Sequence, residues 1–269
     1  MNDDTLLVVD TRTRRVVKKI HAPGVHGVIA VPALGRVYAS ATNDHEALTI
    51  DSRTGAILAR APAGDYPDGL TFDPVERHVF VSDESGGVET VLNAAGRRIA
   101  TISLGGDAGN VQYDAGSRKV LAAVQSRDVV AVIDPKSNRV VRTVSLPGCD
   151  HDHGLLVDAR HRVAFVACDG NATLLTLDLR TWKVTGSSQV GDDPDVLAFD
   201  TSLRHLYVAA ESGVVAVFAE RGRRLVKLGQ VFLASSAHSV AVDSTTHQVY
   251  FPLERGTNGG PQLLVMAPS

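Results

Sequence analysis

The sequence predicts an all-β propeller built from four-stranded blades. Three observations support this fold class: a fixed repeat, four strand-like runs in each repeat, and the lack of any long apolar stripe with helical period. An apolar phrase begins each of six stretches: Gly27–Val31, Gly69–Asp73, Asn110–Asp114, Gly154–Asp158, Val196–Asp200 and Ser239–Asp243. The steps between their last residues are 42, 41, 44, 42 and 43 residues. A regular period of this size indicates a modular repeat fold.

Each repeat contains four short runs with the character of β-strands. The opening phrase is followed by a second run, as at Leu206-Tyr207, and by a third that tends to end in aspartate, as at Val130–Asp134. The fourth run has alternating polarity, as at Val140–Val144. Alternation with period two and β-branched residues indicate strands. Four strands in each repeat of this length are typical of a propeller blade.

Six opening phrases predict six blades in a single domain of residues 1–269. The N-terminal runs Leu6–Asp10 and Val16–Ile20 match the third and fourth strands of a repeat, whereas the last repeat ends after its third strand, Gln262–Met266. We therefore expect the N-terminal strands to complete the last blade and remove its exposed edge. One third-strand phrase is surplus, so a truncated seven-bladed propeller is the alternative.

The strand phrases resemble the YVTN-type β-propeller repeat family. The matching segments are Leu206-Tyr-Val208, Val132-Ile-Asp134, Val8-Val-Asp10-Thr11 and Val140-Val-Arg-Thr-Val144. The resemblance covers the whole chain and implies the propeller fold. It leaves the activity open, because the family includes binding proteins, cell-surface proteins and a few enzymes. Its members are usually exported to the periplasm or the cell surface, yet Met1-Asn-Asp-Asp4 does not begin a signal peptide. The sequence therefore predicts no localisation.

Composition restricts the function classes. The net charge is −3, 44% of the residues are hydrophobic and 5% are aromatic. The low aromatic content argues against base stacking or a carbohydrate platform. No run of 18 apolar residues occurs, so we expect no membrane insertion. The sequence contains no Gly-x-Ser-x-Gly elbow and no phosphate-binding glycine loop. We expect a monomer.

The residue before each inner strand predicts a metal site. In a propeller these positions face the mouth of the central channel, and the repeat brings residues from distant parts of the chain together. Imidazole and carboxylate are common ligands of divalent metals. The sequence therefore predicts a divalent metal ion bound by His26, Asp68, His153, Asp195 and His238. The alternative is that the aspartates cap loops and the histidines only line a pocket.

A ligand pocket is expected beside these residues. It would consist of Asn110, Cys149, Asp150, His151, Cys168 and Asp169. The two cysteines have three interpretations: small buried hydrophobes, a local disulfide, or soft metal ligands. The remaining strand-turn histidines recur on the opposite face, where we expect no chemistry: His78, His161, His205 and His247.

Three function hypotheses remain open. The first is a binding propeller that presents an acidic, histidine-containing pocket, with or without a metal, to a small molecule or protein. The second is a metal-dependent hydrolase, lactonase or lyase at the same position. The third is binding of nucleic acid or another polyanion, because most of the 27 Lys and Arg residues fall in turns of the face opposite the pocket. The turn consensus itself explains those cations without a partner.

Overall fold

The computed structural model describes residues 4–256 and 259–267, and β-strands dominate them. The chain forms two compact units, Met1–Val124 with Ala131–Thr143, and Gln125–Val130 with Val144–Ser269. Among the described residues, helix is limited to four short 3-10 turns, at Pro32–Leu34, Thr42–Asp44, Gln125–Arg127 and Asp169–Asn171. Within the described part of the chain, no helix has the length and apolar character needed to cross a membrane.

The first unit contains β1–β12 and most of β13 and β14, the two strands in which the units divide. Their bounds are β1 Thr5–Asp10, β2 Arg15–His21, β3 Val25–Val31, β4 Arg36–Ala41, β5 Glu46–Asp51, β6 Ile57–Pro62, β7 Pro67–Asp73, β8 His78–Asp83, β9 Val88–Asn93, β10 Arg98–Ser103, β11 Ala108–Asp114, β12 Lys119–Val124, β13 Val129–Asp134 and β14 Arg139–Ser145.

The second unit contains the remaining strands. Their bounds are β15 Asp152–Asp158, β16 Val163–Cys168, β17 Thr173–Asp178, β18 Lys183–Gln189, β19 Pro194–Asp200, β20 His205–Ala210, β21 Val214–Arg221, β22 Arg224–Phe232, β23 Ala241–Asp243, β24 Gln248–Leu253 and β25 Gln262–Met266.

The strands form antiparallel sheets in which sequential strands are neighbours. Five sheets have four strands each, β3–β6, β7–β10, β11–β14, β15–β18 and β19–β22, while β23–β25 and β1–β2 form sheets of three and two strands. The predicted all-β propeller with six four-stranded blades is confirmed, and the seven-bladed alternative is wrong. Completion of the last blade by β1 and β2 stays a prediction.

The last inner strand is shorter than the sequence indicates. The phrase Ser239–Asp243 predicts a strand over all five residues, but only Ala241–Asp243 pairs with β24. The preceding loop makes its own turn, in which the amide of Ala237 donates to the carbonyl of Ala234 at 3.2 Å. The carbonyl of His238 accepts from the amide of Val196 instead. These contacts hold His238 beside the neighbouring blade rather than in a strand of its own.

Apolar side chains from adjacent sheets form the core of each unit. In the second unit Phe165 of β16 and Phe218 of β21 are completely buried in one cluster. Removing a side chain of this size from water contributes about 1.5–3 kcal/mol. Because each cluster draws residues from two sheets, this burial holds neighbouring blades together.

Glycine lets neighbouring blades approach at the start of the inner strands. A Cβ atom placed on Gly154 would lie 2.1 Å from the backbone oxygen of Asp195, and one on Gly27 would lie 2.3 Å from that of Asp68. Real Cβ atoms do not make contacts this short, so a larger residue would displace the neighbouring backbone. Gly154 directly follows His153, which places this contact at the candidate site.

Candidate functional site

Four of the five residues predicted to bind a metal lie in β-bulges. The pairing register shifts by one residue near the start of five inner strands: between Val25 and Val28, Pro67 and Leu70, Ala108 and Val111, Asp152 and Leu155, and Pro194 and Leu197. A bulge leaves a residue outside the regular ladder and changes the direction of its side chain. His26, Asp68, His153 and Asp195 all fall within these bulges. These four side chains therefore do not follow the regular alternation of side-chain direction along their strands.

Asp195 bridges two histidines in the second unit. Its Oδ1 lies 3.1 Å from His153 Nε2, and its Oδ2 lies 2.6 Å from His238 Nδ1. The three residues come from β15, β19 and the loop before β23. Their side chains are 14%, 19% and 11% exposed, so water screens the contacts only weakly. The structure thus brings together three of the five predicted metal ligands.

Glu211 belongs to the same group, although the sequence reasoning missed it. Its Oε1 lies 3.0 Å from His238 Nδ1. Potential ligand atoms of Asp195, Glu211 and His238 all lie within 4.8 Å of one another. The signal was present in the repeat: the residue after the second strand is acidic in four of the six repeats, at Glu84, Asp169, Glu211 and Glu254. The site therefore combines residues from two positions of the repeat, the one at the start of the inner strand and the one after the second strand.

Opposite charges shift the pKa values of the His–Asp pair apart. Burial would raise the pKa of Asp195, but hydrogen bonds and positive charge from His153 and His238 outweigh it and hold that pKa well below its usual range. Burial would lower the pKa of His238, yet the hydrogen bond and charge of Asp195, with Glu211, raise it overall. Without a bound cation, His238 therefore tends to keep a proton.

Two carboxyl groups near Asp195 have raised pKa values, in contrast to the lowered pKa of Asp195 itself. Burial, and after it the negative charges of Asp195, Asp193 and Glu254, raise the pKa of Glu211 even though His238 opposes them. The pKa of Asp193 is also raised, first by burial and then by Asp169 and Asp195. Negative charge thus exceeds positive charge here. A bound cation would relieve this repulsion.

An open groove of about 660 Å³ lies in the same unit. Its lining is polar and includes three aspartates: His151, Asp169, Gly170, Asn171, Ala172, Gln189, Asp192 and Asp193. His151 Nδ1 lies 2.8 Å from Asp169 Oδ1. Burial alone would lower the pKa of His151, but Asp169 raises it overall. Two of the predicted pocket residues, His151 and Asp169, line this groove.

Cys149 and Cys168 form a disulfide. Of the three interpretations of these cysteines, the local disulfide is therefore correct, and the interpretations as soft metal ligands or unlinked hydrophobes are wrong, because neither sulfur is a free thiol. Cys168 is fully buried and Cys149 is half-buried. Asp150, the remaining predicted pocket residue of this loop, is exposed, and its backbone oxygen accepts from the amide of Gly170 at 3.0 Å.

The other predicted site residues belong to the first unit. His26 Nδ1 lies 2.8 Å from the carbonyl oxygen of Gly24, and its Nε2 lies 3.1 Å from the Tyr66 hydroxyl. Both ring nitrogens therefore have hydrogen-bonding partners. Asp68 and Asn110 are half-buried in β7 and β11. A role for these three residues in a metal or ligand site stays a prediction.

A second ionisable group surrounds His161, which the sequence assigned to a turn without chemistry. Its Nδ1 lies 2.7 Å from Asp158 Oδ2 and 3.9 Å from Glu220 Oε1. Arg204 Nη2 lies 2.5 Å from Glu220 Oε2, and the side chain of Glu220 is completely buried. Burial, followed by Asp158, raises the pKa of Glu220 to about 7. Because Arg204 already pairs with Glu220 and His161 already contacts Asp158, the arrangement favours an ionic link between two blades over a metal site.

Comparisons with known proteins support the fold alone. A functionally unknown protein from Desulfotomaculum acetoxidans is 13% identical, with a TM-score of 0.79 over 99% of this chain and 96% of that chain. Hydrazine synthase from Kuenenia stuttgartiensis is 12% identical, with a TM-score of 0.65 over 92% of this chain and 96% of that chain. No family model and no curated protein matches. The class is therefore a six-bladed β-propeller, and the resemblance to the YVTN-type family stays a prediction.

Proposed function

We propose that this propeller is a binding protein that holds a divalent cation between Asp195, Glu211 and His238. The observation that carries the proposal is the convergence of two carboxylates and one imidazole, whose ligand atoms lie within 4.8 Å of one another. Nitrogen and oxygen ligands of this kind suit zinc and related transition ions. Binding would replace the proton on His238 Nδ1 with the metal.

His153 supports this arrangement without being one of the three ligands. It contacts Asp195 Oδ1, whereas His238 contacts Oδ2. A carboxylate held through one oxygen keeps the other oriented toward a cation, as partners of metal ligands commonly do. His153 is therefore a positioning residue for Asp195.

The acidic groove indicates the chemistry of a further ligand. Asp169, Asp192 and Asp193 line it, and His151 is the one basic side chain among its lining residues. A ligand carrying an amine or another positive group would match this charge. We therefore assign a cationic small molecule or a basic peptide segment to the groove.

Zinc binding tests the cation site directly. Protein purified without an affinity tag and freed of metal with a chelator would be titrated with Zn²⁺ by calorimetry, and its metal content measured. We expect one ion per chain in the wild type and its loss in His238→Ala. His247→Ala is the matched control, because His247 makes a similar contact with Asp200 at 2.8 Å on another part of the chain. Equal zinc binding by both variants, or none by the wild type, refutes the proposal.

An enzyme using the same cation is the second candidate. A bound metal lowers the pKa of a water ligand or polarises a carbonyl group, and His153 lies at the edge of the group with 14% exposure. A metal-dependent hydrolase, lactonase or lyase would need such a nearby base. Zinc-loaded protein assayed on a panel of lactones and esters tests this candidate, with His153→Gln as the variant that keeps the cation ligands.

Polyanion binding has weaker support. Several cations in the turns or at the adjoining strand ends already have carboxylate partners, in the pairs Arg36–Asp51, Lys119–Asp134, Arg204–Glu220 and Arg223–Asp178. These pairs reduce the positive charge available to a nucleic acid backbone. Titration with single-stranded DNA at low salt tests this candidate, and absence of binding there removes it.

A further inference from the structure

The Cys149–Cys168 disulfide lies beside the acidic groove. Cys149 precedes His151 by two residues, and Cys168 directly precedes Asp169. His151 and Asp169 both line the groove and contact each other at 2.8 Å. The disulfide therefore joins the two chain segments that form one wall of the proposed ligand site.

The blade does not need this covalent bond for its basic loop geometry. The amides of Asp169 and Gly170 donate to the carbonyl oxygens of His151 and Asp150, both at 3.0 Å. The next blade makes the corresponding contacts without cysteine. There the amide of Glu211 donates to Asp193 at 2.8 Å and that of Ser212 to Asp192 at 3.3 Å. The disulfide is thus an addition specific to the blade that carries the histidine-rich loop.

We propose that the Cys149–Cys168 disulfide is a redox-controlled clamp that regulates ligand binding in the acidic groove. This inference rests on the proposed function, because it concerns the regulation of that site. In the oxidised protein the clamp holds His151 against Asp169 and keeps the groove wall in its binding conformation. In the reduced protein only the two backbone hydrogen bonds hold the segment around Cys149 at the end of β16, so this wall of the groove opens more often.

The reduction step follows ordinary thiol–disulfide exchange. Cys149 is half-buried whereas Cys168 is fully buried, so we place the attack at Cys149. A thiolate of a dithiol reductant attacks Cys149 Sγ, the protein S–S bond breaks, and Cys168 leaves as a thiolate that takes up a proton. The second thiol of the reductant then releases Cys149 and closes the reductant's own disulfide. Two electrons pass from the dithiol to the protein.

Amide hydrogen exchange tests the clamp without any ligand. The oxidised wild type would be compared with dithiothreitol-reduced wild type and with the Cys149→Ser/Cys168→Ser double variant. We expect faster exchange at Asp169 and Gly170, while the matched amides of Glu211 and Ser212 keep their rates. Unchanged rates at all four amides, or equal acceleration at all four, overturn the proposal, because the disulfide would then have no local effect.

Ligand affinity tests the regulatory part. The probe is 1,4-diaminobutane, titrated into the oxidised wild type and the double variant after removal of reductant. We expect about tenfold weaker binding by the variant, the loss that follows if the binding conformation is populated about a tenth of the time. Equal affinity of the two proteins for the diamine overturns the regulatory part of the proposal, even if amide exchange is faster in the variant. Absence of diamine binding by the wild type refutes both the assigned groove ligand and its regulation. It leaves the cation site at Asp195 unaffected, because zinc titration tests that site independently.

Discussion

His238 Nδ1 lies 2.6 Å from Asp195 Oδ2, and this contact joins the loop before β23 to the bulge of β19. Both side chains are largely buried, at 11% and 19% exposure. The same carboxylate contacts His153 through its other oxygen. One aspartate therefore connects three neighbouring sheets of the second unit, and its charge controls the protonation of the site.

Asp195→Asn should destabilise the metal-free protein most at mildly acidic pH. The pKa of His238 is raised above 6.5, so its stabilising contribution is complete below pH 6.5 and is lost as pH rises through the folded value. The pKa of Asp195 is lowered from 3.8, so its contribution is present above that pH and is lost as pH falls through the folded value. We expect a loss of about 2 kcal/mol near pH 5. Urea unfolding at pH 5 and pH 8.5 measures it, and an equal loss at both contradicts the ion pair.

Glu211→Gln should weaken zinc binding by more than about 100-fold. The amide removes a negative ligand, and even residues that only orient a ligand contribute about 10–100-fold to affinity. Glu84→Gln is the matched control, because Glu84 follows β8 as Glu211 follows β20. Calorimetric titration at pH 7.5 measures the difference. Similar losses in the two variants would show that general negative charge, rather than coordination, attracts the ion.

Glu89→Gln should flatten the pH dependence of stability above pH 4.5. Glu89 is completely buried and accepts from the Ser82 hydroxyl at 2.9 Å. Burial raises its pKa from 4.5 to about 8. The folded protein therefore keeps a proton that the unfolded chain loses, and stability declines between these two pH values by on the order of 5 kcal/mol. Denaturation of both proteins from pH 4.5 to 8.5 measures the slope; parallel curves would contradict a buried neutral Glu89.

Arg204→Met should destabilise the second unit by about 3 kcal/mol, because it leaves the buried Glu220 without its cation. The pKa of Glu220, about 7 in the wild type, would rise further. The loss should therefore be larger at pH 8.5 than at pH 6. Arg77→Met is the control, since Arg77 is exposed and has the same positive φ in the corresponding turn. Equal effects of the two substitutions would exclude a specific role of the ionic link.

Removal of residues 1–21 tests the prediction that β1 and β2 complete the last blade. An exposed strand edge promotes association between chains, and loss of an end repeat weakens the cooperativity of a repeat fold. We expect aggregation or a broadened thermal transition, measured by light scattering and calorimetry. A monomeric deletion variant with an unchanged transition would show that these strands do not close the ring.

The repeat pattern predicts the fold well because the same physical solution recurs in every blade. The second strands, such as the one that contains Leu206-Tyr207, and the third strands, such as Val130–Asp134, lie within the observed β20 and β13. The shortening of the last inner strand was not predictable, since it depends on the hydrogen bond that the amide of Val196, in the neighbouring sheet, donates to the carbonyl of His238. Local sequence patterns contain no information about such a contact.

The candidate site was predictable only in part. The equivalent positions identify His153, Asp195 and His238, and the structure brings these three together. Glu211 was missed because it belongs to a different repeat position, one residue after the second strand. The group around His161 was missed for another reason: Asp158 and Glu220 are distant in sequence, and the apolar pattern does not show that both lie next to His161.

The close contact between Gly154 and the backbone of Asp195 separates what can vary at this site from what cannot. A Cβ atom at residue 154 would meet the backbone oxygen of Asp195, so this approach of the two blades requires glycine whichever side chains line the site. His153, Glu211 and His238 supply side chains to the site and take no part in this backbone contact. A library randomised at these three positions, with Gly154 held constant, would therefore be a source of new ligand specificities on an unaltered scaffold.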